Sequence, residues 1–94
     1  MREAVKQYSG QRIKIKAKYE YHSINNKNIM LFRDVKINNE QITDHAWILE
    51  VESIKDMELK GGKYYKFIVE VYEYTKYIKE QQVIDYGFEI IKAI

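Results

Sequence analysis

The 94 residues predict one small all-β domain, a five-stranded barrel with a short helix between the third and fourth strands. Three observations carry this. Apolar residues alternate with polar ones over several runs of eight or more, the two-residue period of a half-buried strand. The runs are separated by Asn- and Gly-rich turn signals at Asn25-Asn26, Asn38-Asn39 and Gly61-Gly62. One stretch, residues 52–60, breaks the alternation and reads as a helical turn.

Residues 1–10 form a lead-in, either a short helical turn or a loose end, closed by Ser9-Gly10. Residues 11–94 then form the domain. In the first strand, Arg12 to Tyr21, the residues Ile13, Ile15, Ala17, Tyr19 and Tyr21 share one face, and Arg12, Lys14, Lys16 and Lys18 share the other. His22 to Asn28 is a hairpin loop. The second strand, Ile29 to Ile37, opens on the apolar run Ile29-Met30-Leu31-Phe32. With Leu31 and Val35 facing the core, Met30 and Phe32 are expected outside. Arg33 lies mid-strand, its side left open. After a turn at Asn38 to Gln41, the third strand runs from Thr43 to Val51 and holds the single Trp, Trp47.

Residues 52–60 contain Ser53 as a candidate N-cap and Asp56 three positions later, a loose capping box, which predicts one or two helical turns. Gly61-Gly62 ends them. The long fourth strand follows, with Tyr65, Phe67, Val69 and Val71 on one side and Lys66, Glu70 and Tyr72 on the other. Tyr77 to Gln82 is expected to be a loop. The last strand, Val83 to Ile91, places Ile84, Tyr86, Phe88 and Ile90 on one face. Three strands, a helix and two strands is the element order of an OB-fold, a small Greek-key barrel; SH3-like barrels are the alternative.

Composition narrows the function. The chain is 46% hydrophobic and 32% charged, as expected for a folded domain. It has no cysteine, which excludes disulfides, thiolate metal sites and a cysteine nucleophile. No apolar run approaches a membrane span and no signal peptide is legible, so a cytoplasmic protein without membrane contact is expected. His22 and His45 are the only histidines. His45 follows Asp44, but neighbouring strand residues point to opposite faces, so the two are not expected to pair. No ligand spacing for a metal and no catalytic constellation is present. The expectation is a non-enzymatic protein with no cofactor and no metal.

Net charge is only +2, but it is uneven. Residues 1–47 hold nine Lys/Arg and five Asp/Glu, and residues 48–94 hold seven and nine. An OB-fold binds its ligand on the outer barrel face centred on strands two and three. Lys14, Lys16 and Lys18 would meet phosphates there, Phe32, Trp47 and Tyr72 would stack on bases, and Arg33 would do either. Alternating lysines also serve as an ordinary solvated face that discourages edge pairing. Met30 and Phe32 outside would equally suit a protein partner.

Thr43-Asp44-His45-Ala46-Trp47, then Leu59-Lys60-Gly61-Gly62, Phe67 to Tyr74, and Ile84-Asp85-Tyr86 together resemble a group of small proteins with the pattern TDHxW … LKxGDxIxFxAxVxxY … IDY. These are carried by phages and mobile elements of low-GC Gram-positive bacteria, and they include an accessory protein encoded beside a family-A polymerase in staphylococcal cassette chromosome elements. The resemblance covers residues 12–94. It departs at Lys63, where the pattern has Asp, at Val69, where Ala is common, and in a short loop after Tyr74. It implies an OB-like fold and a role beside a family-A DNA polymerase in DNA replication or priming. The expectation is a protein that binds single-stranded DNA or RNA; the alternative is a protein-binding module, either a polymerase subunit or a phage inhibitor of a host defence enzyme.

Overall fold

The computed structural model describes residues 3–94. Five strands, β1 (Arg12–His22), β2 (Ile29–Ile37), β3 (Glu40–Leu49), β4 (Tyr64–Ile78) and β5 (Gln81–Ala93), make one sheet in the order β3-β2-β1-β4-β5. Every ladder is antiparallel. The first three strands form a meander, and β4 returns beside β1. That is the OB-fold order. The sheet curls strongly into a half-barrel, and its two edge strands, β3 and β5, come into contact without a hydrogen-bonded ladder.

The core is the concave side. It holds Ile15, Ala17 and Tyr19 of β1, Met30, Phe32 and Val35 of β2, Ala46 and Ile48 of β3, Phe67, Val69 and Val71 of β4, and Tyr86, Phe88 and Ile90 of β5. Phe32 sits at its centre, edge-on to both Tyr19 and Phe67 with ring centroids 5.7 and 5.5 Å away. A four-residue helical turn, α1 (Glu3–Lys6), packs against β3 and drives Val5 fully into the core.

The element between β3 and β4 is a single 3-10 turn, Glu52–Ile54. Val51, not Ser53, occupies its N-cap, with no side-chain cap. Ser53 instead donates its hydroxyl to the carbonyl of Ile91 on β5, 3.1 Å away, while Ile54 plugs the core. The residues up to Gly62 are turns and irregular chain. Ile54 and Met57 are three apart, but Leu59 follows after two, so no continued three-and-four stripe stabilises a longer helix. Gly62 (φ +85°) lets this segment double back onto β1: its N–H reaches the Tyr19 carbonyl at 2.8 Å, and Tyr19 N–H donates to Lys63 at 2.9 Å.

Two hairpins are tighter than expected. Asn38-Asn39 and Lys79-Glu80 are two-residue turns with positive φ at both positions, which matches the twist of antiparallel strands. Tyr77 to Gln82 is therefore not a loop. β4 and β5 stay paired out to Ile78↔Gln81.

Two irregularities decide which side chains face outward. β2 carries an extra residue at Asp34, whose φ is +51°, so Lys16↔Lys36 and Lys18↔Arg33 flank two residues on β2, Asp34 and Val35, and one on β1, Ala17. Inward parity changes across it: Met30 and Phe32 point in before it, and Val35 after it. The expected exposure of Met30 and Phe32 is thus wrong; both are fully buried. In β1 the extra residue is Glu20, between Tyr19↔Phe32 and Tyr21↔Leu31. Tyr21 thereby turns outward, against the alternation that placed it with Tyr19.

Candidate nucleic-acid interface

The ladders arrange the convex face of β1, β2 and β3, with the start of β4, into three cross-strand rows. The first is Lys66–Lys16–Lys36, the second Tyr64–Lys18–Arg33–His45, and the third Tyr21–Leu31–Trp47. Neighbours within a row are one strand spacing apart, about 4.8 Å. Lys14 lies one outward position beyond Lys16, opposite Ile68. Five of the residues expected to bind nucleic acid, Lys14, Lys16, Lys18, Arg33 and Trp47, therefore share one surface.

Two do not join it. Phe32 is 0% exposed and belongs to the core. Tyr72 is exposed but lies past Arg12↔Glu70, the last β1–β4 pair. Its ring crosses the bare Cα of Gly87 on β5, leans on Tyr74 at 5.9 Å, and borders a shallow cleft with Leu49 and Phe88 at the β3–β5 seam. Arg12 also leaves the stripe electrically, because its guanidinium Nε donates to Glu70 at 3.1 Å.

The face has a charged end and an aromatic end. Among the described residues, Lys14, Lys16, Lys18, Arg33 and Lys66 have no carboxylate within ion-pair reach. Lys16 and Lys36 hold their ammonium groups 5.3 and 5.5 Å from the centre of the Tyr64 ring, a cation–π arrangement. Asp34 anchors that ring. It accepts the Tyr64 hydroxyl, an amide N–H of Gln41 at 3.0 Å and Lys36 at 3.3 Å. The Tyr64 bond, followed by those from Lys36 and Gln41, holds the Asp34 carboxyl below its ordinary range, and the same bond raises the Tyr64 phenol.

At the other end, Trp47 is 49% exposed and meets Tyr21 edge-on at 6.3 Å. Leu31 lies between them in the row and is buried on this outer face, apart from the main core. The β1–β2 loop closes the cleft. Ser23 Oγ accepts the N–H groups of Asn25 and Asn26, and Asn26 Oδ1 accepts that of Asn28 at 3.0 Å. This compact loop presents Ile24 to solvent and shapes a cleft of about 440 Å³ with Tyr21 and Trp47.

Under the loop, Tyr19, His22 and Glu50 are linked. The Tyr19 hydroxyl is 2.5 Å from His22 Nδ1, and His22 Nε2 bonds the Glu50 carboxylate. A carboxylate only accepts, so Nε2 carries a proton and donates it to Glu50. Burial raises the Tyr19 phenol pKa. The chain ties the end of β1 to the end of β3 and fixes the base of the cleft. Asp44 and His45 do pair, contrary to expectation: Asp44 Oδ1 lies 2.9 Å from His45 Nδ1 and its carboxyl is held below the usual range by that bond. Adjacent backbone positions still allow two exposed side chains to bend together. Among the described residues no group of three or more His, Asp or Glu is placed to hold a metal, and no helix is long and apolar enough to cross a membrane.

Tyr21, Lys36, Tyr64 and Lys66 were not singled out by the sequence. Lys66 was legible as outward in the fourth strand, but its alignment with Lys16 depends on the β1–β4 register. Compared with known proteins, the chain matches no family model, no curated protein and no solved structure.

Proposed function

We propose that this domain binds single-stranded nucleic acid, without catalysing a reaction, across the outer face of β1, β2 and β3. The observation that supports this most is the placement of unpaired cations beside exposed rings. Lys14, Lys16, Lys18 and Arg33 line one end, and Tyr21 and Trp47 stand at the other. Phosphates would lie on the former and bases would stack on the latter, a mode that tolerates any sequence because every base has a π-face. The face is three rows deep, which suits the low end of OB-fold site sizes, about 4 nucleotides. The Tyr19–His22–Glu50 chain serves as a structural tie, since its tyrosine end is buried. The resemblance to accessory proteins of mobile elements extends the reading to a role in DNA replication beside a family-A polymerase. Fluorescence anisotropy of a labelled oligo-dT at low salt tests the binding, and an unchanged signal at micromolar protein would refute it.

A protein partner is the second reading, and a different surface favours it. Met30 and Phe32 are core and do not offer an interface. The outer part of the β4–β5 hairpin exposes Tyr77 (70%), Ile78 and Ile84, and exposed apolar groups grouped in this way mark docking surfaces. Co-purification that survives Lys→Gln changes on β1 but is lost with Tyr77→Ser/Ile78→Ser would assign the partner to this hairpin.

A further inference from the structure

The charged end of the face holds more positive charge than a passing phosphodiester backbone requires. The β1–β2 ladder begins only at Lys16↔Lys36, so the first residues of β1 are paired to β4 alone. Between them and the Asn38-Asn39 turn lies a groove of about 370 Å³, lined by Lys14, Lys16, Lys36 and Lys66 and by no carboxylate. Three of these, Lys66, Lys16 and Lys36, stand directly opposite one another on three adjacent strands. Like charges in that position destabilise a sheet. Asp34 relieves only one of them, at 3.3 Å from Lys36, and it already accepts from Tyr64 and Gln41. A phosphodiester backbone brings one charge per nucleotide, spaced out along the chain. Four lysines border one small groove, with the ammonium groups of Lys16 and Lys36 lying 5.3 and 5.5 Å from the centre of the neighbouring Tyr64 ring, and together they match several charges in one place.

We propose that this groove binds the terminal phosphate cluster of a nucleic-acid strand, a di- or triphosphate at its end, so that the strand is held end-on. Its phosphates sit among Lys14, Lys16, Lys36 and Lys66, and its first bases run toward Trp47. Lysine suits this role because each ammonium is a compact charge that can turn to meet any phosphate oxygen. The proposal rests on the single-strand reading and specifies which part of a strand the charged end recognises.

The test uses the full chain and short oligonucleotides of one sequence, labelled at the far end, that carry a 5′-hydroxyl, a 5′-monophosphate, a 5′-triphosphate or a 3′-phosphate. Anisotropy titrations at fixed salt give the affinities. The triphosphate-ended strand is expected to bind roughly tenfold or more tightly than the hydroxyl-ended one, the effect of two or three added ionic contacts. In Lys36→Gln/Lys66→Gln the ratio between the two ends should collapse toward one. Inorganic triphosphate should raise the melting temperature of the wild type more than that of the double variant. Equal affinity for all four ends, with the hydroxyl-ended strand still bound, overturns the groove proposal and leaves the single-strand reading standing. Absence of binding by every oligonucleotide overturns both.

Discussion

Replacing Lys14, Lys16 and Lys18 together by Gln isolates the electrostatic part of the proposed interface. With Lys14, Lys16, Lys18 and Arg33 each neutralising one phosphate, the dependence of log affinity on log salt should have a slope of about −2.8, from roughly −0.7 per contact on a single strand. Raising salt from about 50 to about 200 mM then weakens wild-type binding about 50-fold. The triple variant keeps Arg33 alone, so its slope falls to about −0.7 and the same change in salt costs only about threefold. Anisotropy of a labelled oligo-dT across a salt series measures both slopes. Stability is the control. The three lysines are outward and have no carboxylate partner among the described residues, and surface changes of this kind stay within about 0.5 kcal/mol. Lys16→Gln also removes a charge directly opposite Lys36 and Lys66, so the melting temperature should hold or rise. Equal slopes for wild type and variant would refute the reasoning, because the phosphates would then lie elsewhere.

Other consequences follow from single side chains. Trp47→Ala removes a stacking platform and should cost about 1–3 kcal/mol of binding, roughly 5- to 150-fold in Kd, with little change in thermal stability. Phe32→Ala should do the reverse, costing about 3–5 kcal/mol of unfolding free energy in urea through the cavity left between Tyr19 and Phe67. A loss of binding with unchanged stability would instead place Phe32 outside. Asp34 has a carboxyl pKa depressed in the folded state by Tyr64, Lys36 and Gln41. Its contribution to stability is therefore complete above the ordinary value of 3.8 and fades as pH falls through the lower folded value. Melting curves of Asp34→Asn should accordingly lose less on acidification in that range than those of the wild type, and parallel pH profiles would remove this role from Asp34.

The alternation of Ile15, Ala17 and Tyr19 against Lys14, Lys16 and Lys18 was legible because the β1 backbone is regular there, and so was the turn at Asn38-Asn39, since Asn tolerates positive φ. Phe32 and Tyr21 were misplaced for one shared reason. Each lies beside an inserted residue, Asp34 or Glu20, and one extra residue reverses the faces on one side of it. Neither insertion has a sequence mark strong enough to read. Lys79-Glu80 was invisible as a tight turn because neither residue favours positive φ. The link from His22 to Glu50 joins positions 28 residues apart, and the row Lys66–Lys16–Lys36 exists only once three strands are in register. The stripe of lysines and Trp47 could be read locally; the place of Tyr21 beside Trp47 depended on tertiary structure.

Trp47 offers the most direct test of the central claim, because it is the chain's only tryptophan and its fluorescence reports on one place. Titration with an oligo-dT at low salt should quench and saturate the Trp47 emission, with a midpoint matching the anisotropy of the labelled strand and a reversal on adding salt. Binding seen by anisotropy with no change in Trp47 emission would contradict the proposed position of the strand on this face.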